Sequence, residues 1–160
     1  AQGYTVDLVC DFLDQKGISR YMVEIGGELR CKGRNTKNEF WKAGIDKPTD
    51  TSSTRALQTI VSLENKALAT SGSYRKYYLK DGQKYAHVID PFTGYPTTHN
   101  LLSVSVIAST CADADAYATA LLCMGTEKAI EWLSTHSVDA LLIYEEKGQL
   151  KIYQTSDVWL

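Results

Sequence analysis

Asp115 and Thr119 stand four residues apart in Ala114-Asp115-Ala116-Tyr117-Ala118-Thr119, which is one turn if the segment is helical. A carboxylate and a hydroxyl stacked in this way present oxygens to one point, and oxygen donors suit a hard cation such as magnesium. Projected from Thr110 at about 100° per residue, the segment puts Cys111, Ala114, Ala118, Leu121 and Leu122 on an inward stripe. Asp115 falls at the margin of that stripe and Asp113 nearly opposite. A carboxylate facing apolar side chains is costly unless it is paired or cation-bound. Asp113, three residues after Thr110, reads instead as a helix-start charge in a variant capping box. On geometry alone, Asp115 with Thr119 is either a metal site or an acid near a helix start beside an ordinary threonine.

A second cluster is His87-Val88-Ile89-Asp90-Pro91-Phe92-Thr93-Gly94-Tyr95-Pro96, where an apolar strand enters a loop stiffened by proline and glycine. His87 suits general-base work near neutral pH if a hydroxyl comes within hydrogen-bond reach; a structural strand histidine is the alternative. Asp90, before Pro91, carries turn chemistry. A third cluster is Ala69-Thr70-Ser71-Gly72-Ser73-Tyr74 followed by Arg75 and Lys76. Small residues such as Ser71 and Gly72 allow close backbone approach, and hydroxyls beside cations hold phosphate oxygens. No Walker or Rossmann glycine pattern accompanies it, and Gly26-Gly27 reads as a strand-ending turn.

These clusters need elements to hold them. Val6, Val9, Cys10 and Leu13 recur at helical spacing, with Asp7, Asp11 and Asp14 on the other side, which predicts a helix ending before Gly17. Strands follow over 20–25, 28–32 and 39–45, then a loop over 46–54, then a strand pair over 57–63 and 67–70. Asp81-Gly82 joins 74–80 to 83–89 as a hairpin. A strand over 101–108, helices over 110–124 and 127–136, and a final hairpin of 138–144 with 150–153 complete the chain. Hairpin-linked strands with helices set apart predict an α+β fold with a mostly antiparallel sheet and packed helices.

With 160 residues, 44% hydrophobic and 22% charged, the composition is that of one folded domain spanning 1–160. A net charge of −2 without a basic run argues against nucleic-acid and membrane-surface binding. No apolar run approaches the roughly 20 residues that span a bilayer. Cys10, Cys31, Cys111 and Cys123 lack zinc-site spacing and read as small core residues. The opening Ala1-Gln2-Gly3-Tyr4 has neither an initiator methionine nor signal-peptide regions, so the chain reads as an internal fragment or a processed product.

In order, these segments resemble the ApbE family of FAD:protein FMN transferases. The resemblance rests on Gly3-Tyr4-Thr5-Val6-Asp7, Val23-Glu24-Ile25-Gly26-Gly27-Glu28, Thr70-Ser71-Gly72, the loop from His87 to Gly94, and Asp115 with Thr119. It implies an ApbE-like domain lacking its N-terminal part, in which Asp115 and Thr119 bind Mg2+ and a further ligand comes from just upstream of Ala1. It implies that Gln2 and Ile89, with Ser71 and Gly72, contact FAD, that His87 is the base and that Asp90 shapes its loop. Where relatives more usually carry Asn and Asp around the double glycine, this chain has Glu24 and Glu28. The implied activity moves FMN from FAD to a Thr or Ser hydroxyl of a target protein, releasing AMP. The alternatives are an FAD pyrophosphatase giving FMN and AMP, or a non-catalytic FAD-binding module. The implied partner is a flavin-accepting subunit of a membrane redox complex. The implied location is the periplasm or the outer face of a bacterial membrane, as a lipoprotein.

Overall fold

The computed structural model describes residues 1–48, 56–73, 77–80, 83–86 and 88–159, with the strands inside 77–86 described by their backbone alone. His87, Asp81-Gly82 and most of the 46–54 loop lie outside the described residues. The central feature is a six-stranded antiparallel sheet of order β1-β2-β5-β8-β9-β10. Its strands are β1 (Tyr21–Ile25), β2 (Glu28–Lys32), β5 (Ala67–Gly72), β8 (Leu101–Ala108), β9 (Asp139–Glu146) and β10 (Gln149–Gln154). Each outer pair closes through two residues at positive φ: Gly26 (66°) and Gly27 (107°) for β1–β2, Lys147 (53°) and Gly148 (75°) for β9–β10. Such turns match the twist of antiparallel strands. The α+β fold with a mostly antiparallel sheet is the one expected from the sequence.

Three helices cover one face: α1 (Gln2–Gln15), α2 (Cys111–Met124) and α3 (Thr126–Thr135). Ala114, Ala118, Leu121 and Leu122 of α2 pack on Val104 and Val106 of β8 and Leu142 of β9. The other face meets a two-stranded sheet of β3 (Trp41–Asp46) and β4 (Leu57–Leu63), whose Ala43, Ile45, Val61 and Leu63 join Leu29, Leu68, Ile107 and Leu141. Burial on both faces explains why β8 reads as a nearly continuous apolar run. A backbone hairpin of β6 (Tyr77–Lys80) and β7 (Gln83–Ala86) stands apart from both sheets.

The strands over 57–63 and 67–70 do not pair with each other, contrary to the sequence reading. β4 pairs with β3, placing Ala43 opposite Val61, while β5 enters the large sheet between β2 and β8, placing Ala69 opposite Val106. The burial pattern gives the reason. β4 alternates, with Val61 and Leu63 buried and Leu57 and Ile60 exposed, whereas Ala67, Leu68 and Ala69 of β5 are buried without interruption. A strand hidden on both faces belongs in the interior of a covered sheet.

Helix α1 departs from its projected polar face at one position. Val6 and Cys10 are buried as expected, but Asp7 is buried with them. Cys10, Cys31 and Cys111 are buried free thiols, in agreement with their reading as small core residues, whereas Cys123 is only half-buried and lies outside the core.

Candidate active site

Helix α2 starts where its sequence directs. Thr110 is its N-cap: the hydroxyl accepts from the Asp113 backbone N–H (3.1 Å) and donates to the Asp113 carboxylate (2.6 Å). Asp113 therefore has the helix-start role assigned to it. Asp7 of α1 adds a second cap from outside the helix. Its Oδ1 accepts from the Cys111 N–H (3.0 Å) and its Oδ2 from the Ala112 N–H (2.8 Å), while Arg30 of β2 donates to Oδ1 (2.8 Å). A carboxylate on the first N–H groups satisfies orphan donors and meets the positive end of the helix dipole. This role is not visible in the sequence, because the partners are 104 and 105 residues away.

The two helices then touch at Gly3. A Cβ there would collide with the Cys111 carbonyl oxygen and fall 2.7 Å from Asp115 Cβ. That closeness lets the Gly3 N–H donate to Asp115 Oδ2 at 3.0 Å, with the nitrogen of Ala1 3.2 Å from the same oxygen. One turn along α2, the Thr119 hydroxyl lies 3.0 Å from the Ser71 hydroxyl at the end of β5. Thr70 beside it is tied down by Ser105 (2.7 Å).

Asp115, Thr119, Ser71, Gly72 and Gln2 all border one cleft of about 390 Å3. Five of the sequence-singled residues thus come together. Gly26 and Gly27 form one edge, and a Cβ on Gly26 would collide with the Gln2 side-chain amide. Val88 lines the cleft, while its neighbour Ile89 is exposed and bridges to Pro96. Asp90 is occupied in its own turn: Oδ1 accepts from the Phe92 N–H (2.8 Å), and its backbone exchanges hydrogen bonds with Gly94 and Tyr95. Ile89 and Asp90 are not among the lining residues.

Two further carboxylates line the cleft, Glu28 and Asp46, neither of which the sequence reading placed there. No Lys, Arg or His side chain lines it among the described residues. Glu28 is only 8% exposed, and its Oε2 is buried without a hydrogen-bond partner among the described residues. Burial pushes its carboxyl above the ordinary value; its own backbone N–H opposes that, and the charges of Asp115 and Glu24 reinforce it. The signal available in the sequence was an acid directly after two glycines at the start of a half-apolar strand.

The donors fit a hard divalent cation. Asp115, Thr119, Ser71 and Glu28 offer only oxygen, and Glu28 has a buried acceptor left unpaired. No group of three His, Cys, Asp or Glu side chains gathers among the described residues. A cation held here would complete its shell with hydroxyls, water or phosphate oxygens, as magnesium commonly does. An acid-lined cleft also repels a bare diphosphate, so an anionic ligand needs a cation to enter it.

The ApbE family model matches residues 1–142. The chain is 41% identical over 154 residues to an FAD:protein FMN transferase of Salmonella typhimurium, covering 96% of this chain and 43% of that protein. It is 43% identical over 143 residues to the enzyme of that name from Haemophilus influenzae, covering 89% of this chain and 41% of the relative. A solved structure described as the flavin transferase ApbE from Vibrio cholerae superposes with a TM-score of 0.85 at 38% identity, covering 98% of this chain and 49% of that one. The chain thus spans less than half the length of these curated relatives.

Proposed function

The chain belongs to the ApbE family, and we propose that it forms part of an enzyme that transfers FMN from FAD to a Thr or Ser hydroxyl of a protein in a magnesium-dependent reaction. The observation that carries this reading is the meeting of Asp115, Thr119, Ser71, Gly72 and Gln2 on one cleft lined by acids and, among the described residues, by no basic side chain. Relatives named FAD:protein FMN transferase, about 40% identical over most of the chain, give the reading its substrate.

In this reading Asp115 and Thr119 would hold the cation beside the diphosphate of FAD. Bound there, magnesium supplies charge neutralisation on the phosphate oxygens. The Gly3 N–H fixes the Asp115 carboxylate, and the Ser71 hydroxyl fixes that of Thr119, so both donors are oriented before substrate arrives. Gly26 leaves room for the Gln2 amide at the rim. The acceptor hydroxyl oxygen bonds to the FMN phosphorus, the bond from that phosphorus to the bridging oxygen breaks, and AMP leaves with that oxygen. His87 takes the hydroxyl proton. Asp90 holds the following loop through its turn. The family resemblance supports extending the proposal to an exported lipoprotein acting on a subunit of a membrane redox complex.

The test is to incubate the full-length protein with FAD, Mg2+ and a candidate acceptor, and to follow covalent flavin fluorescence on the acceptor and AMP together. Equal amounts of labelled acceptor and AMP are expected, with Asp115→Asn reducing both at least 100-fold. Free FMN and AMP with no labelled protein would replace transfer by hydrolysis.

A further inference from the structure

We propose that Glu28 is a second carboxylate for the divalent cation, acting across the cleft from Asp115; this rests on the functional reading above. Glu28 is the first residue of β2, directly after the Gly26-Gly27 turn. Its Oε2 lies 3.7 Å from where a Gly26 Cβ would stand, so the carboxylate sits under the glycine corner that also forms the cleft edge.

Among the described residues, the other acid buried to about nine-tenths is fully satisfied: Asp7 receives two backbone N–H groups and a guanidinium. Glu28, equally buried, has an oxygen with no partner among the described residues. A buried carboxylate oxygen left unpaired is costly, and in a native protein it calls for a ligand that supplies the missing charge. The acids whose charge bears on Glu28 are Asp115 and Glu24. No basic side chain lines the cleft among the described residues to balance them. A cation drawn to Asp115 from the helix side therefore meets a second acid from the sheet side. Two carboxylates on independent elements bind more tightly than one, and they make occupancy depend on how β2 sits against α2.

The experiment is Mn2+ binding to the full-length protein without nucleotide, read as the loss of the free-ion electron paramagnetic resonance signal. Wild type, Glu28→Gln and Asp115→Asn are compared, with melting temperatures measured alongside in metal-free buffer. Glu28→Gln is expected to weaken Mn2+ binding about tenfold or more while leaving the metal-free melting temperature equal or higher. Asp115→Asn is expected to abolish binding. Wild-type affinity in Glu28→Gln, with binding lost in Asp115→Asn, overturns the role of Glu28 and leaves the functional reading standing. Binding that is absent in wild type, or indifferent to Asp115→Asn, overturns both. Glu28→Ser decides on the same criterion where the glutamine variant fails to fold.

Discussion

Gly3 and Asp115 show how closely the chemistry depends on single atoms. The Asp115 carboxylate reaches the α1 backbone only because residue 3 has no Cβ: a methyl there meets the Cys111 carbonyl and stands 2.7 Å from Asp115 Cβ. Both obstacles belong to the α2 backbone or to the root of a side chain, so neither yields cheaply. Gly3→Ala is expected to cost about 1–3 kcal/mol by overpacking, measured by chemical denaturation of the full-length protein. It should also weaken cation binding, because the methyl pushes α1 away from the carboxylate it orients. A variant as stable as wild type would show that the helices have slack at this contact. The pair Asp115 and Thr119 was legible in the sequence because its four-residue spacing is a property of any helix. Glu28 was not, since a charged residue after two glycines usually lies in water; only the packing of β2 under the glycine corner buries it.

Among the elements, α2 carries the site and α1 with β2 holds α2 in place. Asp7 makes that connection through the Cys111 and Ala112 N–H groups and Arg30. Asp7→Asn removes the charge and turns an amide donor towards other donors. A loss of about 3 kcal/mol is expected, with cation binding weakened, and chemical denaturation measures it; a loss below about 1 kcal/mol would show that Thr110 suffices as the cap. Asp14, near the other end of α1, accepts from Lys32 (2.9 Å) and from the Tyr21 hydroxyl (2.9 Å), which hold its carboxyl below the ordinary value. Its folded pKa being the lower one, its contribution is present above the usual Asp value of about 4. That contribution fades as the pH falls through the folded pKa. Asp14→Asn should therefore lower the melting temperature at pH 7 and lower it progressively less as the pH is taken down from about 4; a loss that stays the same over that range would assign the effect to shape. Element types were readable from periodicity and turn residues, as the Gly26-Gly27 and Lys147-Gly148 turns show. The partners of β4 and β5 were not, because adjacency in sequence suggests a hairpin while burial on two faces sends β5 into the large sheet.

At the scale of the whole molecule, the large sheet is covered on both faces and the cleft opens where α1, α2, the β1–β2 corner and the ends of β3 and β5 meet. The interior thiols report on the integrity of that arrangement. Cys10, Cys31 and Cys111 are buried, and burial pushes all three thiols up, Cys111 to about 12. Iodoacetamide at pH 7.5 should therefore leave these three unmodified in the native protein and reach Cys123 first, slowly, since burial raises that thiol as well. Peptide mass mapping checks this, and rapid labelling of Cys111 would mean that α1 separates from α2 in the native state. The α+β class was legible because hairpin signals and helical periodicity occupy separate stretches of chain, whereas the cleft joins segments from both ends of the sequence.

An anomalous difference map from crystals of the full-length protein grown with Mn2+ and FAD locates the cation outright. A peak is expected that is bonded to the Asp115 carboxylate and the Thr119 hydroxyl and touches the FAD diphosphate. A map with the diphosphate in place and no metal at those two side chains would contradict that placement.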